Sequence, residues 1–301
     1  MRRLIAVQRS EVWMDTTVTV EAVTRDGSEC ADAIGRAFEW FAAVERQCSR
    51  FDPSSELRQL SLHCGEAIPV SPLLFEALTV ALRVAQESMG AFDPTVGAQM
   101  EALGFDRNYR SGESHPSGLR SAPPDWRAVV LRRRNRTVTL RRPVLLDLGG
   151  VAKGLAIDLA LMELRGLAGG AVDAGGDIAV FGINREGGAW KIGVQHPREE
   201  GALAACLEVA QGAVCTSGDY RRRARGQSHH VRPVSGEAVD TVASCTVYAP
   251  TAVVADALST AATVMGPEAG IRWLGDQGAE GLIITPDLCR LTTEGWEGLQ
   301  C

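Results

Sequence analysis

Between residues 145 and 160 the chain reads LLDLGGVAKGLAIDLA. An apolar, strand-like run meets Asp147, Gly149 and Gly150. Lys153 and Gly154 follow, and a helical pattern takes over. Glycines lack Cβ, so backbone N–H groups here stand open to close approach by a ligand. The helix that follows turns its positive end toward the same place. Lys153 adds a full charge. The segment therefore suits a tight strand-to-helix turn, with room for an anion. Its spacing fits neither G-x-G-x-x-G nor G-x-x-x-x-G-K-[ST]. From the motif alone, a phosphate cradle and a purely structural turn both stand.

The rest of the chain limits what can be built around that turn. Its 301 residues suffice for one large domain spanning 1–301, or for two intimately packed lobes. The polar, Pro/Gly-rich stretch 111–125 is the candidate boundary between lobes. A net charge of -6, from 31 basic and 37 acidic residues, gives no reason to expect nucleic-acid binding. The run RRRAR at 221–225 is a local exception, a solvated loop or a binding patch. No stretch is long and apolar enough for a membrane span. The start shows no secretory h-region and no lipobox-like Leu-x-x-Cys. The eight cysteines form no C-x-x-C and no zinc-like Cys/His spacing. Reduced thiols and a cytoplasmic location are the expectation.

Periodicity predicts an α+β fold. TTVTVEAVT alternates as a strand. The segment from Cys30 to Phe51 carries Ile34, Phe38, Phe41 and Val44 on one helical stripe. A second helix starts at Ser71–Pro72 and stops at Gly90. Two strands flank Arg134–Asn135, and the helix after Gly150 runs to about Gly166. GAVDAGGDIAVFG reads as strand, glycine turn, strand. Strand-like pieces continue over 190–215. ASCTVYAP is a buried strand, TAVVADALSTAATVMG a helix, and GLIITPDLCRLTTEGW a terminal hairpin. Long helices beside many antiparallel-looking strands argue α+β over alternating β/α.

Several residues carry chemistry. Asp256 and Thr260 lie four apart on the same predicted helical face. A carboxylate and a hydroxyl are hard donors suited to Mg²⁺ beside phosphate, although a buried Thr and a capping Asp would leave the same pattern. Phe92 and Asp93, in GAFDPTVG, offer an aromatic ring beside a carboxylate in a turn, for a heteroaromatic ligand or for the turn itself. His229 and His230 precede a Pro/Gly turn, where one of them can act as a general base.

Taken in order, these segments resemble the FAD:protein FMN transferase (ApbE) family over roughly residues 14–265. The matching stretches are MDTTVTV, SRFDPSSEL, GAFDPTVG, GFD, LDLGGVAKG, DAGGD, TSGDY, HHVRPVSG and APTAVVADALSTA. The resemblance implies cleavage of FAD, with FMN passed to a Thr or Ser of an acceptor flavoprotein, AMP released and Mg²⁺ required. By matching positions it implies a FAD site lined by Met14, Phe51, Ala91, Phe92, Asp93, Asp147, Lys153 and Val231. It implies a metal held by the Gly150 carbonyl, Asp256 and Thr260, and His229 as the base, with His230 one residue away. Two positions depart from the family pattern: Asp15 stands for a glycine and Arg232 for an aspartate. A FAD pyrophosphatase giving FMN and AMP, and a flavin-binding protein without chemistry, are the alternatives.

Overall fold

A computed structural model describes residues 4–25, 30–107, 111–219 and 230–301, with the backbone of 223–224 and 227–228. The side chains of 221–229, and with them the RRRAR run and His229, lie outside the described residues.

Strand β1 (Ile5–Trp13) turns into β2 (Thr16–Thr24), and helix α1 (Cys30–Cys48) follows. The short α2 (Glu56–Ser61) and β3 (Ala67–Pro69) lead to α3 (Pro72–Glu87) and α4 (Gly97–Ala102). Strands β4 (Val129–Arg132) and β5 (Thr137–Leu140) precede α5 (Ala152–Glu163). Next come β6 (Gly169–Ala174), β7 (Asp177–Gly182), β8 (Trp190–Gln195), β9 (Leu203–Val209) and β10 (Gln211–Gly218). The two-residue strands β11 (Arg223–Ala224) and β12 (Gln227–Ser228) pair with each other. The chain closes with β13 (Ser244–Ala249), α6 (Ala252–Met265), α7 (Pro267–Asp276), β14 (Glu280–Ile284) and β15 (Arg290–Thr292).

Eight strands form one sheet in the order β1-β2-β6-β7-β10-β13-β14-β15. Every neighbouring pair is antiparallel. Side chains alternate between its faces, and each face has its own core. On one side Val18, Val20, Val172, Cys215 and Val247 pack with Ile34 and Phe41 of α1, Ile157 of α5 and Leu258 of α6. On the other, Val23, Val180, Val214 and Leu282 meet the β8–β9 ribbon through Ile192, Val194 and Leu207, and bury Trp296 completely. This is the α+β fold expected from the sequence.

Local sequence explains the element ends. Ser71 caps α3 by accepting the Leu74 N–H at 3.2 Å, with Pro72 in the first turn. Gly175 and Gly176 have φ of 66° and 91° and make the two-residue β6–β7 turn. The β1–β2 turn uses Met14 and Asp15, at φ 52° and 64°, in the left-handed region that glycine usually fills. These two hairpin tips are neighbours: Gly175 N–H donates to the Thr17 carbonyl at 3.1 Å.

Two expectations are corrected. The run before Gly149 joins no sheet. Val144, Leu145, Leu146 and Leu148 are buried while Asp147 is partly exposed, and the run makes one isolated bridge, Val96 to Leu145. Asp147 N–H and Leu146 N–H are satisfied instead by the Pro94 carbonyl and the Ser61 hydroxyl. The cysteines are not all reduced thiols. Cys206 on β9 is disulfide-bonded to Cys301, while the other six form no disulfide. The pair is 95 residues apart in sequence, a contact no local pattern announces.

Candidate active site

The cleft opens where the two hairpin tips, the last residues of β10 and the starts of α5 and α6 converge. Its volume is ≈ 1270 Å³, above the range usual for drug-sized ligands. Met14, Phe51, Ala91, Phe92, Asp93, Asp147, Gly150, Lys153, Val231, Asp256 and Thr260 all line it. Eleven positions drawn from six separate stretches of sequence thus share one wall system. His230 also lines the cleft and is buried. His229 lies outside the described residues.

The glycine turn is built by Asp147. Its Oδ1 accepts the Gly149 N–H at 2.7 Å, and its Oδ2 accepts Arg50 Nε at 2.7 Å. Arg50 is buried, donates to the Phe105 carbonyl at 2.7 Å, and holds its guanidinium 4.4 Å from the centroid of the Phe51 ring. Asp147 and Phe51 are therefore fixed through one arginine. Asp93 is likewise committed. Oδ1 takes the N–H and hydroxyl of Thr95, and Oδ2 takes the Trp126 N–H at 3.1 Å. Burial raises its pKa against those hydrogen bonds. Asp93 thus organises the turn that presents Phe92.

Lys153 is ion-paired with Asp177 and lies 4.0 Å from Asp256 Oδ2. Asp177 Oδ1 accepts the Thr216 N–H at 2.8 Å, which ties β7 to β10 under the lysine. Asp256 Oδ2 accepts the Gly154 N–H at 3.2 Å. The Thr260 hydroxyl is 3.4 Å from Ser217 Oγ, itself 2.8 Å from Ser259 Oγ. The chain passes Thr260 closely at Gly150: a Cβ there would sit 2.9 Å from Thr260 Oγ1 and 2.9 Å from the Phe92 ring. This answers one part of the glycine pattern, since no larger residue fits between Phe92 and Thr260.

Sequence reasoning passed over Arg50, Asp177 and Asp158. Arg50 and Asp177 sat inside quoted motifs, SRFDPSSEL and DAGGD, without a role. Asp158 had a visible signal: a single carboxylate inside the otherwise apolar helical run GLAIDLAL. Arg232, where the family pattern has aspartate, donates to the Ala238 carbonyl at 3.4 Å and lies 3.9 Å from Asp240. It braces the 231–238 turn beside Val231.

An antiparallel sheet layered with helices thus carries a large cleft walled by glycine turns, a lysine and buried carboxylates. The chain belongs to the ApbE family, whose model matches residues 14–283. It is 32% identical over 314 residues to the FAD:protein FMN transferase of Treponema pallidum, covering 95% of this chain and 86% of that one. The enzyme of the same name from Klebsiella pneumoniae is 29% identical, and the chain spans 64% of its length. The ApbE protein of Thermotoga maritima superposes with a TM-score of 0.88 at 27% identity, covering 99% of this chain and all of that one. Flavin transferase ApbE from Vibrio cholerae gives 0.86 at 25%, covering 98% and 99%.

Proposed function

We propose that this protein is a flavin transferase that cleaves FAD, passes FMN to a Thr or Ser hydroxyl of an acceptor protein, and releases AMP with the help of Mg²⁺. The reading is supported above all by one arrangement: Asp256, Thr260, Gly150 and Lys153 brought together at one end of a cleft large enough for a dinucleotide. The donor set fits the metal. One buried carboxylate, one hydroxyl and one backbone carbonyl are hard oxygen ligands. Mg²⁺ characteristically takes one or two carboxylates and completes its shell with water and substrate phosphate. Among the described residues there is no group of three or more His, Cys, Asp or Glu poised for a metal, so the softer, ligand-rich sites of zinc are not the model to follow here.

When bound, Mg²⁺ would lower the charge of the diphosphate and so ease approach of an oxygen nucleophile. Lys153 supplies a second positive charge, fixed in place by Asp177 and available to a phosphoryl oxygen. Phe51 and Phe92 give flat apolar surface for the rings. The acceptor hydroxyl attacks the FMN phosphorus, the bond to the AMP oxygen breaks, and AMP leaves as the anion. The hydroxyl proton goes to a histidine, His229 or the neighbouring His230. No helix among the described residues is long and apolar enough to cross a membrane; work in the cytoplasm is part of the proposal.

The test is mass spectrometry of an acceptor flavoprotein co-expressed with this chain. The expected result is one FMN added to a Thr or Ser, lost in Asp256→Ala. Free FMN and AMP without labelled protein would make the chain a pyrophosphatase. Bound, intact FAD alone would make it a flavin-binding protein.

A further inference from the structure

The proposed metal ligands come from two helices: Gly150 lies at the approach to α5, and Asp256 and Thr260 lie on α6. Neither helix starts with a side-chain cap of its own. Thr251, at the start of α6, makes no side-chain capping bond, and neither does Val151 at the start of α5. The first N–H groups of α6 go instead to a residue on α5. Asp158 Oδ1 accepts from Ala252 N–H at 2.7 Å, and Asp158 Oδ2 from Val253 N–H at 2.9 Å. In return, Asp256 of α6 accepts the Gly154 N–H near the start of α5. Each helix start is thus capped by a carboxylate of the other. Gly154 lets the two come this close, since any Cβ there would meet the Ala252 carbonyl.

Building on the transferase reading, we infer that Asp158 is a positioning residue for this site. Its two-pronged grip on the start of α6 sets how far Asp256 and Thr260 stand from Gly150 and Lys153. Asp158 does not line the cleft, so it acts through α6 and not on the ligand. Groups that orient metal ligands from behind typically control metal affinity by about 10- to 100-fold.

The experiment uses the full chain and Mn²⁺ as the probe, followed by electron paramagnetic resonance in the presence of FAD. FAD binding without metal is measured separately by flavin fluorescence. Asp158→Ala removes both bonds. It is expected to weaken Mn²⁺ by about 10-fold or more, with metal-free FAD affinity nearly unchanged. The Mg²⁺ concentration for half-maximal AMP release should rise, while the rate at saturating Mg²⁺ recovers. Asp158→Asn keeps one acceptor oxygen and should fall between the two, and it serves if the alanine variant does not fold. Ser71→Ala is the matched control: it removes the cap of α3, away from the cleft, and should lower thermal stability without moving Mn²⁺ affinity. Mn²⁺ binding as tight in both Asp158 variants as in the parent overturns the inference alone. So does equal weakening by Ser71→Ala. A parent protein that binds FAD but no Mn²⁺ overturns the metal reading itself, and the inference with it.

Discussion

Gly154→Ala should disable this protein although it adds one methyl group. The added Cβ would lie 2.5 Å from the Ala252 carbonyl oxygen and 2.6 Å from the Val253 Cα. Ordinary contact begins near 3.4 Å, so something must yield by 3.4 − 2.5 = 0.9 Å. Both obstacles are backbone at the start of α6, so the displacement passes to the helix itself. Overpacking of this kind costs about 1–3 kcal/mol, more where backbone must move. The functional loss should exceed the stability loss. A shift of about 1 Å in reacting groups costs roughly 10²-fold in rate, and Asp256 and Thr260 ride on the displaced helix. The assay is AMP release at saturating FAD and Mg²⁺, beside thermal unfolding. Gly35→Ala is the control. It lies in α1 with nothing within 4 Å of its Cβ, so it should stabilise by about 0.5–1 kcal/mol. A Gly154→Ala protein with parental melting temperature and turnover would refute the claim that α5 and α6 are held at contact distance.

Three further outcomes follow from the same structure. Arg50→Met strands the Asp147 carboxylate and should cost about 3–5 kcal/mol, with weaker FAD binding; adding Asp147→Leu should restore part of the stability, and purely additive losses in that cycle would show that the pair is not coupled. Cys301→Ser opens the Cys206 link and, with a closed loop close to 100 residues long, should lower stability by about 4.7 kcal/mol under oxidising conditions while sparing turnover; equal melting temperatures would show that the link contributes nothing. Asp158 has its pKa raised to about 6 from 3.8, first by burial and further by Asp256, against bonds from Val253 and Ala252 and the charge of Arg165. The folded protein therefore holds this proton where the unfolded chain has lost it. The resulting stability, about 3 kcal/mol, is fully present below pH 4 and lost as pH rises through 6. In denaturant titrations the parent should lose stability relative to Asp158→Asn as pH rises from 4 through 6, because the asparagine does not titrate, and parallel curves would contradict it.

What the sequence revealed depended on the range of the interaction. α3 was legible because Ser71, Pro72 and the apolar stripe are local. The β6–β7 hairpin was legible because Gly175 and Gly176 solve a local φ problem. The run at 144–148 misled because a buried irregular segment and a sheet strand share one composition; only the partners, Pro94 and Ser61, tell them apart. α7 went unnoticed because Gly270 and Gly275 interrupt a short pattern. In the cleft, the residues were legible as motifs, but their wiring was not. That Arg50 serves Asp147, Asp177 serves Lys153 and Asp158 serves α6 depends on contacts across 97, 24 and 94 positions of chain. Cys206 and Cys301 belong to the same class.

The β1–β2 turn has a consequence best put in genetic terms. Asp15 holds a left-handed backbone at the edge of the cleft, a conformation that costs a non-glycine residue about 1 kcal/mol. Every aspartate codon is one base from a glycine codon, and glycine would remove that cost. A mutant pool selected for heat resistance alone therefore has a single-step route away from Asp15. A pool selected for flavin transfer has the same route open. Whether the two populations part company at residue 15 reads out directly what the carboxylate contributes to the cleft.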